Sequence, residues 1–125
     1  MSTLKVDTVQ HNTSGFNNVV QFTDGAGTQN GTLCRAWVNF NGEGTVATRA
    51  DFNVNTITDS GTGQYTVNFT NAMVDGNYSA LGTMQGGNAY ILTTSSTNSN
   101  YCSIYTWTDA SAFIDRAAVY IAIFR

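Results

Sequence analysis

Between residues 64 and 70 the chain reads QYTVNFT, and this run constrains the fold more than any other stretch. Tyr65, Val67 and Phe69 fall on one face; Thr66, Asn68 and Thr70 fall on the other. A period of two marks a strand with one face buried and one face wet. Gly61-Thr62-Gly63 precedes the run as a turn, and Asp75-Gly76 supplies another after it, because glycine reaches positive φ without a steric penalty. Tyr78, Ala80, Gly82 and Met84 then restart the alternation.

The same signals recur along the chain. Seven main strands are expected, at residues 34–40, 46–54, 64–70, 77–84, 89–94, 101–108 and 116–124, with 55–57 extending the second. Gly86-Gly87 reads as a hairpin connection into 89–94. Residues 94–100 read as a Ser/Thr/Asn loop, and 109–115 as a connection. The last strand is apolar on both faces, which predicts a central position. No segment carries a sustained 3.6-residue stripe. The expectation is an all-β protein, an antiparallel β-sandwich of about seven strands spanning residues 33–125.

Residues 1–32 differ from the rest. Leu4, Val6 and Thr8 alternate briefly, NVVQFT (18–23) suggests a second short strand, and DGAGTQNGT (24–32) reads as a polar loop. Such a segment buries little alone and is expected to act as an attachment or oligomerisation arm.

Composition narrows the partners. Only 10% of residues are charged, against roughly 25% in an ordinary domain. Net charge is −3, and Lys5, Arg35, Arg49, Arg116 and Arg125 are scattered, so no basic patch for nucleic acid is expected. The longest apolar run, 117–124, is too short to span a bilayer, so no membrane contact is expected. There is no proline to guard sheet edges, and few charges to do so, which argues that association between copies covers them. Cys34 and Cys102 are expected as buried free thiols.

Catalytic constellations are absent from the pattern. The one histidine, His11, sits in the polar arm without a nucleophile beside it. Asp59 and Asp75 stand in turn contexts, and Asp109 and Asp115 flank a connection they are placed to cap. Neither carboxylate pairs, metal-ligand spacing nor a phosphate loop is recognisable, so no enzyme activity, cofactor or metal is expected. Aromatic residues are the remaining signal. Tyr101, Tyr105 and Trp107 share one face of a predicted strand, opposite Cys102, Ile104 and Thr106. Tyr and Trp among Asn, Ser and Thr suit recognition as well as packing. Tyr101, Tyr105, Trp107, Asn88 and Asn98 are therefore the candidate receptor or interface contacts.

Residues 34–80 also carry a likeness. Ala36-Trp37-Val38-Asn39-Phe40-Asn41-Gly42, then Ile57-Thr58-Asp59, Gly61, Gly63 and Tyr65-Thr66-Val67-Asn68-Phe69, then Asn77-Tyr78, resemble a segment common in tail-fibre and related virion proteins of tailed bacteriophages, marine and cyanobacterial phages among them. The opening MSTLKVDTVQHNTSG resembles the N-terminus of such proteins. The Tyr65–Phe69 run with Asn77-Tyr78 is also similar, in architecture, to trimeric lectin sandwiches of the H type. The resemblance implies a non-enzymatic virion protein, a homotrimer with a β-sandwich head. Its arm would hold it to other virion proteins, and loops at 85–88, 94–100 and 109–115 would meet a host surface glycan. Whole tail fibres are much longer, so the expected forms are a short fibre or fibre tip, or alternatively a capsid decoration protein without a receptor; a carbohydrate-active enzyme is the third and least favoured reading. The first two localise to the virion after assembly in a host cytoplasm.

Overall fold

A computed structural model describes residues 19–86, 90–109 and 111–125. In the first of these stretches, β1 (Val19–Asp24) and β2 (Gly27–Thr32) form a two-stranded antiparallel hairpin. The strand expected in NVVQFT is therefore present, but 24–32 is a turn and a strand, where sequence suggested a loop. The alternation at Leu4, Val6 and Thr8 lies outside the described residues, as does His11.

The remaining strands build the sandwich expected from the alternation. They are β3 (Cys34–Asn41), β4 (Ala47–Phe52), β5 (Val54–Gly61), β6 (Gln64–Phe69), β7 (Ser79–Met84), β8 (Tyr90–Asn98), β9 (Tyr101–Thr108) and β10 (Val119–Phe124). A front sheet has the order β4-β3-β10-β7, and a back sheet the order β5-β6-β9-β8. All pairings are antiparallel. β10 lies between β3 and β7, as its apolar character predicted.

Inward side chains of both sheets meet in one core. Ala36, Val38, Phe40, Val119, Ile121 and Ile123 come from the front; Val54, Tyr65, Val67, Phe69, Cys102 and Ile104 come from the back. Burying a side chain of Val, Ile or Phe size contributes about 1.5–3 kcal/mol each. Met73, on the crossing between β6 and β7, plugs one end at 5% exposure.

Strand ends shift by a few residues, as where β10 begins at Val119 and not at 116, and three larger departures from expectation each have a tertiary reason. The strand expected across 46–57 breaks at Asn53, which adopts φ 57°. That left-handed residue turns the chain from the front sheet to the back, so β4 and β5 belong to different sheets. Its amide holds the corner: Nδ2 donates to Arg35 O at 3.0 Å and Asn71 O at 3.1 Å, and Oδ1 accepts from Asn71 N at 2.7 Å. Next, β7 and β8 also lie in different sheets, so the connection containing Gly86 crosses the sandwich and does not close a hairpin. Finally, the expected loop at 94–100 is mostly strand. β8 runs to Asn98, because Thr94, Ser96, Thr97 and Asn98 pair with β9; the β-branched Thr94 and Thr97 favour the strand, and Ser96 and Asn98 are carried by the pairing.

Both cysteines are free; Cys102 is fully buried, while Cys34 is only half-buried near the start of β3.

Each end of the sandwich is tied by a tyrosine hydroxyl. At one end, the Tyr65 hydroxyl proton stands between Asp115 Oδ1 (2.7 Å) and Gly42 O (2.9 Å). Asp115 Oδ1 also accepts from Gly63 N at 2.7 Å, and Gly42 N donates to Arg116 O at 2.8 Å. Asp115 thus caps the distant turn at Gly63, 52 residues away, where its position had suggested the connection it flanks. Gly63 has φ 65°, and a Cβ there would lie 2.6 Å from Thr106 O, so no other residue fits without displacing backbone. At the opposite end, the Tyr78 hydroxyl donates to Tyr101 O at 2.6 Å. Arg125 grips Asp75 in a two-pronged ion pair (3.1 and 2.7 Å), which holds the exposed Asp75 carboxyl below its ordinary range.

Candidate functional site

The outward face of the back sheet gathers most of the predicted contact residues. Along β9, Cys102, Ile104 and Thr106 point into the core, which turns Tyr101, Ser103, Tyr105 and Trp107 outward. On β6 the outward set is Gln64, Thr66 and Asn68, since Tyr65, Val67 and Phe69 are buried. Cross-strand register then places Gln64 beside Tyr105, Thr66 beside Ser103 and Asn68 beside Tyr101. On β5, Thr56 pairs with Asn68 and Thr58 with Thr66.

These pairs form a hydrogen-bonded surface. Thr66 Oγ1 and Ser103 Oγ lie 3.0 Å apart. Asn68 Nδ2 sits between Thr56 Oγ1 (3.1 Å) and Thr58 Oγ1 (3.0 Å). An aromatic cluster closes one end. Trp107 and Phe113 stack with ring centres 4.0 Å apart, and Tyr105 meets Phe113 edge-on at 5.2 Å. Trp107 Nε1 donates to Thr93 Oγ1 at 3.0 Å, which fixes the indole with its polar edge toward β8. Phe113 reaches the cluster through a single antiparallel bridge to Trp107. Thr108 N donates to Ala112 O, and Ile114 N to Thr106 O, so the connection after β9 folds back beside its own strand.

The predicted contacts divide accordingly. Tyr105 and Trp107 belong together. Tyr101 shares their face but stands at the far end of β9, roughly 20 Å from Trp107 at about 3.3 Å per residue. Asn98 pairs with Tyr101 and is occupied by the β8–β9 turn, where its Oδ1 accepts from Asn100 N at 3.0 Å. Asn88 lies outside the described residues. Sequence reasoning missed Phe113 and Thr93 as partners of Trp107. The only signal for Phe113 was an aromatic beside Ile114 in a connection between strands, and Thr93 had none beyond strand alternation.

Electrostatically the face is neutral. Asp59 is the sole charged residue in the sequences of the four back-sheet strands, and its Oδ1 accepts from Gly61 N at 3.0 Å. Burial pushes the Tyr65 and Tyr78 hydroxyls well above the ordinary phenol range and the Cys102 thiol up to about 11, but all three belong to the interior and sandwich ends. Among the described residues no group of His, Cys, Asp and Glu is assembled that would hold a metal ion. Rings beside hydroxyls and amides, with Asp59 the one carboxylate in these strands, suit a neutral polar ligand: ring faces take apolar patches, and Thr, Ser and Asn exchange hydrogen bonds.

Comparison with known proteins adds no relative: no family model, curated protein or solved structure matches this chain.

Proposed function

We propose that this chain is a non-enzymatic structural protein of a bacteriophage virion, of the short tail-fibre or fibre-tip type, whose sandwich contacts a host surface glycan. One observation carries the reading: the Trp107–Phe113 stack with Tyr105, set at the end of an uncharged ladder of Thr, Ser and Asn. A sugar presents C–H patches and hydroxyls together, and such a surface offers a partner for each. The likeness of residues 34–80 to virion proteins supports the setting, and the neutral face supports an uncharged stretch of glycan over nucleic acid.

Binding of the purified protein to arrayed bacterial envelope polysaccharides tests it, with Tyr105→Ala and Thr93→Val as variants. The expected result is saturable binding that either substitution weakens, without release of reducing ends. Absence of binding to every envelope glycan, together with high copy number on tailless heads, would overturn attachment in favour of capsid decoration.

A further inference from the structure

The outward face of the front sheet is unlike the back. Trp37 pairs with Phe52 on one side and Ala122 on the other, and Ala122 pairs with Leu81. An apolar row therefore crosses all four strands in the order Phe52, Trp37, Ala122, Leu81. Phe52 is 54% exposed, Trp37 40% and Leu81 62%. The neighbouring row, Ala50, Asn39, Tyr120 and Thr83, adds Tyr120 at 42% exposure. Neither row contains a charged side chain; Arg49 reaches Asn39 Oδ1 at 3.5 Å from the rim. Single exposed apolar residues are ordinary, but a continuous band over a whole sheet is not.

Size and shape point to the occupant. Four strands at ~4.8 Å spacing and six residues at ~3.3 Å rise give a face of roughly 19 by 20 Å. Two such faces measure roughly 760 Å² in projection, and the relief of their side chains carries the buried area toward the ~1,000 Å² that a specific interface requires. The row is also self-complementary. A two-fold axis along the strands, between β3 and β10, lays Trp37 of one copy over Ala122 of the other and Phe52 over Leu81. The bulkiest residue then meets the smallest. Tyr120 falls over Asn39 in the same operation. Cations stand only at the margins of the two rows, Arg35 two residues before Trp37 on β3 and Arg49 at the rim, and the rows themselves match by shape and not by charge.

We propose that the front face is the docking surface for a second copy of this chain, paired face to face about that axis. The contact leaves the aromatic end of the back sheet open, so the proposal stands independently of the glycan reading. Because a contact of this kind is isologous, it closes at two copies. A three-fold assembly would have to use other surfaces.

Analytical ultracentrifugation of the full chain over a dilution series tests the pairing. The wild type is expected to sediment as a dimer, and Leu81→Asp and Ala122→Arg to weaken it at least ~tenfold, since each would bury an unpaired charge, with unchanged far-UV circular dichroism. A second measurement does not depend on those variants folding. In a Cys34→Ser background, Phe52→Cys combined with Leu81→Cys is expected to give a covalent dimer on oxidation, and either alone is not. The two sites lie on opposite edge strands, about 14 Å apart within one chain, beyond disulfide reach. A monomeric wild type, a three-fold mass, or a dimer that survives Leu81→Asp without the cross-link would overturn the proposal. A monomer that dimerises only after removal of residues 1–18 would assign the face to the chain's own N-terminal segment and overturn it equally.

Discussion

The Tyr65 hydroxyl lies 2.7 Å from Asp115 Oδ1 across 50 residues of sequence, and this contact joins β6 to the connection that leads into β10. Tyr65 is 1% exposed and packs edge-on against Phe40 with ring centres 5.1 Å apart. The ring therefore sits in the core while its polar tip ties the sandwich end. Gly42 is part of the same fit, since a Cβ there would stand 2.5 Å from the Tyr65 hydroxyl oxygen.

Removing that hydroxyl tests the tie. Tyr65→Phe keeps the ring but leaves Gly42 O without its partner, and is expected to cost about 1–2 kcal/mol. Asp115→Ala deprives both Tyr65 and Gly63 N of an acceptor, and is expected to cost about 2–4 kcal/mol. Urea unfolding of the two variants and their double mutant measures both. A double-mutant coupling near zero would mean that the contact contributes nothing beyond its separate parts.

Asn53 is the second test, because it joins an unusual backbone to a satisfied amide. Asn53→Ala removes three side-chain hydrogen bonds and puts a residue without a local polar partner at φ 57°, so a loss of about 2–4 kcal/mol is expected. Asn53→Gly relieves the backbone but not the missing bonds, and should recover roughly 1 kcal/mol of it. Thermal melts of the pair separate the two contributions. Equal losses would show that the left-handed conformation carries no cost here.

The interior thiol and phenols predict an alkaline limit. Burial first, and for Tyr65 the neighbouring Asp115, raise the folded-state values of Cys102, Tyr65 and Tyr78 above those of the unfolded chain. The folded state therefore keeps protons that the unfolded chain gives up. Stability is full below about pH 9, where the unfolded thiol begins to ionise, and falls as pH rises toward the Cys102 value of about 11 and beyond. Melting temperature from pH 7 to 11 reads the effect, and Cys102→Ala should flatten its first part. In native protein at pH 8, a thiol reagent should modify Cys34 and spare the fully buried Cys102 until denaturant is added. Equal modification rates would contradict that burial.

What was legible in the chain was local. Alternation at Tyr65, Val67 and Phe69 identified β6, and Tyr105 and Trp107 were assigned to one face of β9 from spacing alone. Side chains of a strand alternate whatever it pairs with, so a period of two survives without knowledge of the partner. The candidate site was half legible for the same reason. Spacing put Tyr101 on the face of Tyr105 and Trp107, and six residues of strand already separate it from Trp107 by roughly 20 Å, but spacing carried no information that Phe113 stacks on Trp107.

Tertiary structure decided everything that depends on which strand lies beside which. The break at Asn53, the crossing after β7 and the extension of β8 through Thr94–Asn98 each depend on sheet membership, which no local run encodes. The Tyr65–Asp115 tie and the register that aligns Phe52, Trp37, Ala122 and Leu81 are likewise contacts between distant segments. Many pairings satisfy the same alternation, and the one adopted is selected by how all the inward side chains fill a single core. The amino-acid sequence by itself determined that this protein is made of strands and which residues each strand turns together; the packing of two sheets decided which of those faces became core, polar-aromatic surface and apolar band.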